Sequence, residues 1–187
     1  MGEVTGVFEE RCSGCIGDGA PSSSSGGACV EIVDGLGHKS EVISLFDEYT
    51  RMLVSLDPSF RLYLDIQHYE DEVRDLEAKY APPYGHLYLL LVDGKAAGCI
   101  ALRRLDDRRC ELKRLYVRPQ YRVCGYSRLL LDRIVSDARA IGYTLMLLDS
   151  LPELESALSL YRSYGFVETG CYNDSPVENT VFMELAL

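Results

Sequence analysis

The sequence predicts an α+β domain in which antiparallel strands come first and a strand–loop–helix–strand unit follows. Three observations carry this. Asp93-Gly94 lies between the apolar runs Leu87–Val92 and Ala97–Leu102, a strong hairpin signal. The stretch 125–141 repeats apolar residues at Leu130, Ile134, Ala138 and Ile141, and again at Leu131 and Val135, which is the stripe of a helix facing a core. Residues 144–148 form an uninterrupted run, Thr-Leu-Met-Leu-Leu, as expected of a strand buried on both faces.

The remaining elements follow in order. The first residues are rich in Gly and Ser, ending in Pro21-Ser22-Ser23-Ser24-Ser25-Gly26-Gly27. Such a segment buries too little apolar surface to offset its ordering entropy. Residues 1–28 therefore read as a flexible leader and 29–187 as a single domain. Cys29–Val33 alternates like a first strand, and Val42, Leu45, Phe46, Tyr49 and Leu53 mark one face of a helix over about 40–55. After the interruption at Asp57-Pro58, a charged surface helix is expected over about 66–80, ended by Pro82-Pro83. Asp106-Asp107 turns the hairpin into a strand over 111–117. A helix over 154–164 stops at Gly165, a fitting residue just past a helix end, and two last strands are expected at 166–172 and 180–187.

Composition narrows the function. At 187 residues one domain with a substantial core is expected. A formal net charge of -10 argues against nonspecific nucleic-acid binding, which needs broad positive surface. No run of about 18 apolar residues is present to span a membrane, and the N-terminus lacks the pattern of a secretory signal. Seven scattered cysteines then suggest reduced thiols and a cytoplasmic protein. Cys12-Ser13-Gly14-Cys15 has the spacing of a ligand pair but no second pair nearby, and His38, His68 and His86 are isolated. No metal site is expected.

Against this acidic background, ten of the 19 Lys and Arg residues fall between Arg103 and Arg133. Arg122 and Arg128 flank the start of the helix at 125–141, which has no acid before Asp132. The first amides of a helix lack intrahelical partners and its dipole is positive there. Cations at that end destabilise the helix unless an anion sits between them, so the residues point to a phosphorylated ligand. Asp149, about 24 residues after Gly125, imitates the order of a dinucleotide fold. A single glycine in the loop and the antiparallel hairpins before it count against that.

Arg122-x-x-Gly125-x-Ser127 resembles the pyrophosphate loop of the GCN5-related N-acetyltransferases (GNAT), R/Q-x-x-G-x-G/A. The similarity includes Leu115-Tyr116-Val117-Arg118-Pro119 before the loop and Ser127-Arg128-Leu129-Leu130-Leu131 after it. It resumes at Ala157–Phe166, which looks like the family's A-x-x-L-Y-x-x-x-G-F junction. Ser127 departs from the usual Gly or Ala but is small enough to let a pyrophosphate approach. The resemblance implies an α/β/α sandwich around a mixed, mostly antiparallel central sheet of about six or seven strands. It also implies acetyl-CoA as co-substrate, held by Leu115, Tyr116 and Val117 along the strand and by Arg122, Val123, Cys124, Gly125, Tyr126 and Ser127 in the loop.

Acyl transfer to an amine needs a deprotonated amine, a stabilised oxyanion and a protonated leaving thiolate. By the same resemblance Tyr161 is the expected acid, and Glu111, early on the strand, the expected base. Lys113 shares the strand face of Glu111 and lowers its basicity. The acceptor, a small-molecule amine or amino acid, is expected near Phe60, the Tyr80–Tyr84 turn and the Tyr172–Asn173 loop. A non-catalytic acyl-CoA sensor on the same fold is the alternative. The residues leave the acceptor and the oligomeric state open, a homodimer included.

Overall fold

The computed structural model describes residues 27–175, 177 and 179–187. The expected leader, apart from residues 27 and 28, and the Cys12/Cys15 pair lie outside them. Seven strands form one sheet: β1 (Val30–Asp34), β2 (His86–Val92), β3 (Lys95–Arg104), β4 (Arg109–Val117), β5 (Leu145–Ser150), β6 (Val167–Glu168) and β7 (Val181–Ala186). The spatial order is β1-β2-β3-β4-β5-β7-β6. Neighbours run antiparallel except β4 and β5. The hairpin expected at Asp93-Gly94 joins β2 to β3, with both turn residues at positive φ as a tight turn demands.

Helices cover both faces. On one, α5 (Tyr126–Ile141) and α6 (Glu155–Tyr164) pack Leu130, Leu131, Ile134, Val135 and Leu158 onto Ile100, Leu112, Met146 and Leu148. On the other, α1 (Lys39–Leu56) sets Val42, Leu45 and Phe46 against Leu87, Leu89, Cys99 and Tyr116. Burial of each such side chain contributes roughly 1.5–3 kcal/mol before entropy is counted. The alternating pattern of the strands serves both cores at once. Among the described residues no helix is long and apolar enough to cross a membrane, and no group of three or more His, Cys, Asp or Glu could hold a metal ion.

Two expectations are corrected. The helix predicted over 66–80 is divided among α2 (Phe60–Ile66), α3 (Tyr69–Arg74) and α4 (Leu76–Tyr80). His68 enters the left-handed region at φ 54°, and the Asp75 carboxylate caps the Ala78 amide to start a new helix. The segment lies on the surface as expected, with Glu70, Asp71, Arg74, Asp75 and Glu77 exposed, but one face of it buries Glu72, Leu76 and Tyr80. The strand predicted over 166–172 pairs only at Val167 and Glu168. After Thr169 the chain leaves the sheet, and Tyr172 and Asn173 reach the residues of the cleft instead.

Candidate active site

The site begins with a fault in the sheet. β4 pairs with β5 only at Arg109, Cys110 and Glu111, while β5 continues along β7 to Ser150. From Leu112 onward the two central strands part. On its other edge β4 bulges: Cys99 faces Tyr116 and Ala101 faces Lys113, so two steps on β3 oppose three on β4. Arg114 sits in the bulge at φ 60°. Bulges bend a strand and re-aim its side chains. Here Lys113 and Arg114 both turn to the α1–α4 face, and the cleft between β4 and β5 opens behind them. The Arg118 amide bonds to Ala97 O at 2.9 Å. Successive amides in an antiparallel ladder alternate sides, so the Val117 amide points to the edge that β5 has left.

The loop follows directly. Val123 and Gly125 have φ of 63° and 79°, and Gly125 caps α5 without any side-chain hydrogen bond. The amides of Val123, Gly125 and Ser127 donate to no backbone carbonyl among the described residues. A glycine at this position meets the left-handed requirement without strain. The first turn of α5 carries no acid, as the sequence indicated. Arg122 folds back over the end of β4, its Nε 2.9 Å from Val117 O and its guanidinium 5.9 Å from the Tyr116 ring. Val123 is fully exposed, whereas Tyr126 and Tyr116 bury their rings in opposite cores. Amides strung along a turn into a helix N-terminus form an anion cradle. Nothing within 4 Å obstructs the space a Cβ on Gly125 would enter, so a ligand can approach the backbone there.

Tyr161, on α6, lines the cleft with Leu112, Leu115 and Asp149. Its ring packs 5.6 Å from Phe166, and no hydrogen bond joins its hydroxyl to any described residue. Burial pushes that hydroxyl far above the usual phenol range. Glu111 is fully buried. Its carboxylate accepts hydrogen bonds from Arg103 Nε and, at 2.8 Å, from Tyr172 Oη, with Lys113 Nζ 3.7 Å away. Burial favours the neutral carboxyl, but the charges of Lys113 and Arg103 and the two hydrogen bonds outweigh it and hold the group below its ordinary value. Tyr172 is raised, by burial first and then by the Glu111 charge.

The sequence reading placed Phe60, Tyr172 and Asn173 near the acceptor, and the fold gathers them around this cleft. Phe60 lines it, and Asn173 Nδ2 donates to Tyr63 Oη at 3.0 Å. Tyr80 and Tyr84 do not join them. Tyr80 is buried beside Glu72, and Tyr84 is half exposed under the Arg104 guanidinium. Three further residues were missed as members of the site. Tyr63 donates to Asp149 Oδ2 at 2.5 Å, and Lys113 Nζ stands 3.9 Å from Asp149 Oδ1. The available signal was a lone acid closing a buried apolar strand. Behind them, Arg114 forks onto Glu72 at 2.8 and 3.1 Å, and Glu72 also accepts from Lys79 and Tyr80.

Residues 45–166 match the profile of the acetyltransferase (GNAT) family. An uncharacterized N-acetyltransferase of Schizosaccharomyces pombe is 34% identical over 143 residues, 75% of this chain and 88% of that protein. A Streptococcus agalactiae acetyltransferase superposes with a TM-score of 0.69 at 23% identity, over 84% of this chain and 98% of that one. A Salmonella typhimurium acetyltransferase solved with its cofactor acetyl-CoA gives 0.57 at 20% identity, over 84% and 93%. A parted central sheet, an anion cradle heading the helix that follows, and the family profile spanning both converge on one assignment: this chain belongs to the acetyltransferase (GNAT) family.

Proposed function

We propose that the protein transfers an acetyl group from acetyl-CoA directly to the amine of a small molecule or amino acid, with residues 29–187 acting as one catalytic unit. The observation that carries this is the opening of β4 from β5 beside the Gly125 cradle, which puts an unpaired strand edge next to a diphosphate site. Acetyl-CoA would supply the activated thioester. The amides of Val123, Gly125 and Ser127, with those of Cys124 and Tyr126 in the same turn, hold the diphosphate, and Arg122 adds charge. The strand edge at Leu115, Tyr116 and Val117 orients the pantetheine arm, and the Val117 amide is a fixed donor for the carbonyl as it gains charge. Tyr161 stays protonated because it is buried. It donates to the sulfur as negative charge develops there.

Glu111 accepts the acceptor's proton through Tyr172, whose hydroxyl already donates to it at 2.8 Å. Lys113 and Arg103 make this a weak base, so the acceptor must enter largely as the free amine. The expected pH profile follows. kcat/KM rises about tenfold per pH unit until the pKa of the acceptor amine, near 10.4 for an alkyl amine. A second limb between pH 5 and 8 that vanishes in Glu111→Gln would contradict a depressed carboxyl.

The test of the activity is release of free thiol from acetyl-CoA with a broad amine panel. Tyr161→Phe is expected to lower kcat about 100-fold, the lower end of general-acid effects, with acetyl-CoA affinity unchanged. Wild-type turnover in that variant would remove Tyr161 from the mechanism. Absence of thiol release with every amine would remove the proposed reaction.

A further inference from the structure

Lys113 is a cation of the cleft wall whose only part in the reaction above is to weaken Glu111 as a base. Its side chain is 6% exposed and lines the cleft wall. Its ammonium lies 3.7 Å from Glu111 Oε1 and 3.9 Å from Asp149 Oδ1, beyond hydrogen-bond reach of both. It donates to no described residue. An ammonium has three N–H groups to place, and with no described residue taking them they are left to whatever enters the cleft. Lys79 shows the contrast nearby: it reaches Glu72 at 2.6 Å.

The neighbours of Lys113 are already engaged. Glu111 is held by Arg103 and Tyr172, and Asp149 by Tyr63. Arg114 is committed to Glu72. The pairs Arg103–Glu111, Arg114–Glu72 and Lys113–Asp149 balance, and Lys79 leaves a surplus of positive charge in a chain whose net charge is -10. A plain cationic amine gains little from such a pocket. An acceptor that brings its own anion satisfies the ammonium donors and uses the surplus, while Asp149 Oδ1, without a hydrogen-bond donor among the described residues, is left to face the amine end.

We infer that the acceptor is an amine bearing a carboxylate, an amino acid or a close analogue, and that Lys113 is the residue that reads this carboxylate. The inference rests on the transferase reading above and narrows its substrate class.

Matched pairs test it. Amino acids are compared with the amines left by their decarboxylation, phenylalanine with phenethylamine among them, each scored by thiol release as kcat/KM for the free-amine fraction, since a neighbouring carboxylate also changes the amine pKa. The preferred amino acid is expected to exceed its partner by about 100-fold, as one or two charged hydrogen bonds provide. Lys113→Met is expected to collapse that ratio toward one, and Lys113→Arg to restore part of it. Turnover of amines with no gain from the carboxylate overturns the inference and leaves the transferase reading standing. So does a Lys113→Met variant that keeps the full ratio. No thiol release with any acceptor overturns both. Should Lys113→Met fail to fold, the wild-type ratio alone decides.

Discussion

Arg114→Met is expected to destabilise the protein by about 3–5 kcal/mol, the range for breaking one half of a buried ion pair. Arg114 is 5% exposed and meets Glu72 through two nitrogens, with its guanidinium 4.9 Å from the Tyr69 ring and 5.3 Å from that of Phe46. Removing it strands a buried carboxylate with only Lys79 and Tyr80. At roughly 2–4 °C per kcal/mol for a chain of this size, the midpoint of thermal unfolding is expected to fall about 10 °C. A double change, Glu72→Leu with Arg114→Met, is expected to recover much of the loss because no charge is left unpaired. A double variant less stable than Arg114→Met would contradict this account.

The same cluster sets a pH dependence. Burial raises the Glu72 carboxyl, but Arg114 and Lys79 outweigh it and hold the folded group well below the ordinary range. A lowered folded pKa stabilises the native state fully above the unfolded value near 4.3, and the contribution drains away as pH falls toward the folded one. Denaturant midpoints measured from pH 6 to pH 2.5 are expected to drop less steeply in Glu72→Gln than in the wild type.

Gly125→Glu is expected to weaken acetyl-CoA binding at least about 100-fold, the loss of two charged hydrogen bonds. Gly125 sits at φ 79° ahead of the 16-residue helix α5. A Cβ there meets no atom within 4 Å, so the change adds no clash. It adds about 1–2 kcal/mol of left-handed strain and a carboxylate beside the amides proposed to hold phosphate oxygens. Gly125→Ala carries the strain without the charge and is expected to lose no more than about 30-fold by the same strain figure. Calorimetric titration separates the two. Equal affinity in Gly125→Glu and the wild type would remove the cradle from the binding site.

Much of this arrangement was legible because it depends on local periodicity. The Asp93-Gly94 hairpin, the stripe of α5 and the cationic helix start each state their structure within a few residues. The expected helix over 66–80 failed for an instructive reason. Ile66, Tyr69, Val73, Leu76 and Tyr80 keep a helical spacing across two backbone breaks, at His68 and Asp75, so periodicity outlived the helix itself. Glu111 and Lys113 were paired from strand alternation, and the ammonium is indeed 3.7 Å from the carboxylate. Alternation could not place Arg114, because the bulge at φ 60° turns it to the same face as Lys113.

The sequence by itself determined the seven-stranded plan and the left-handed turn ahead of α5, since hydrophobic spacing and a left-handed glycine act over short stretches. The tertiary structure alone decided which polar groups distant in the chain meet. Glu72 lies 42 residues from Arg114, Tyr63 86 from Asp149, and Tyr172 61 from Glu111. Such pairs form only where strands part and loops return, and electrostatic energy depends on distance in space and on exclusion of water, neither of which a linear order of residues contains.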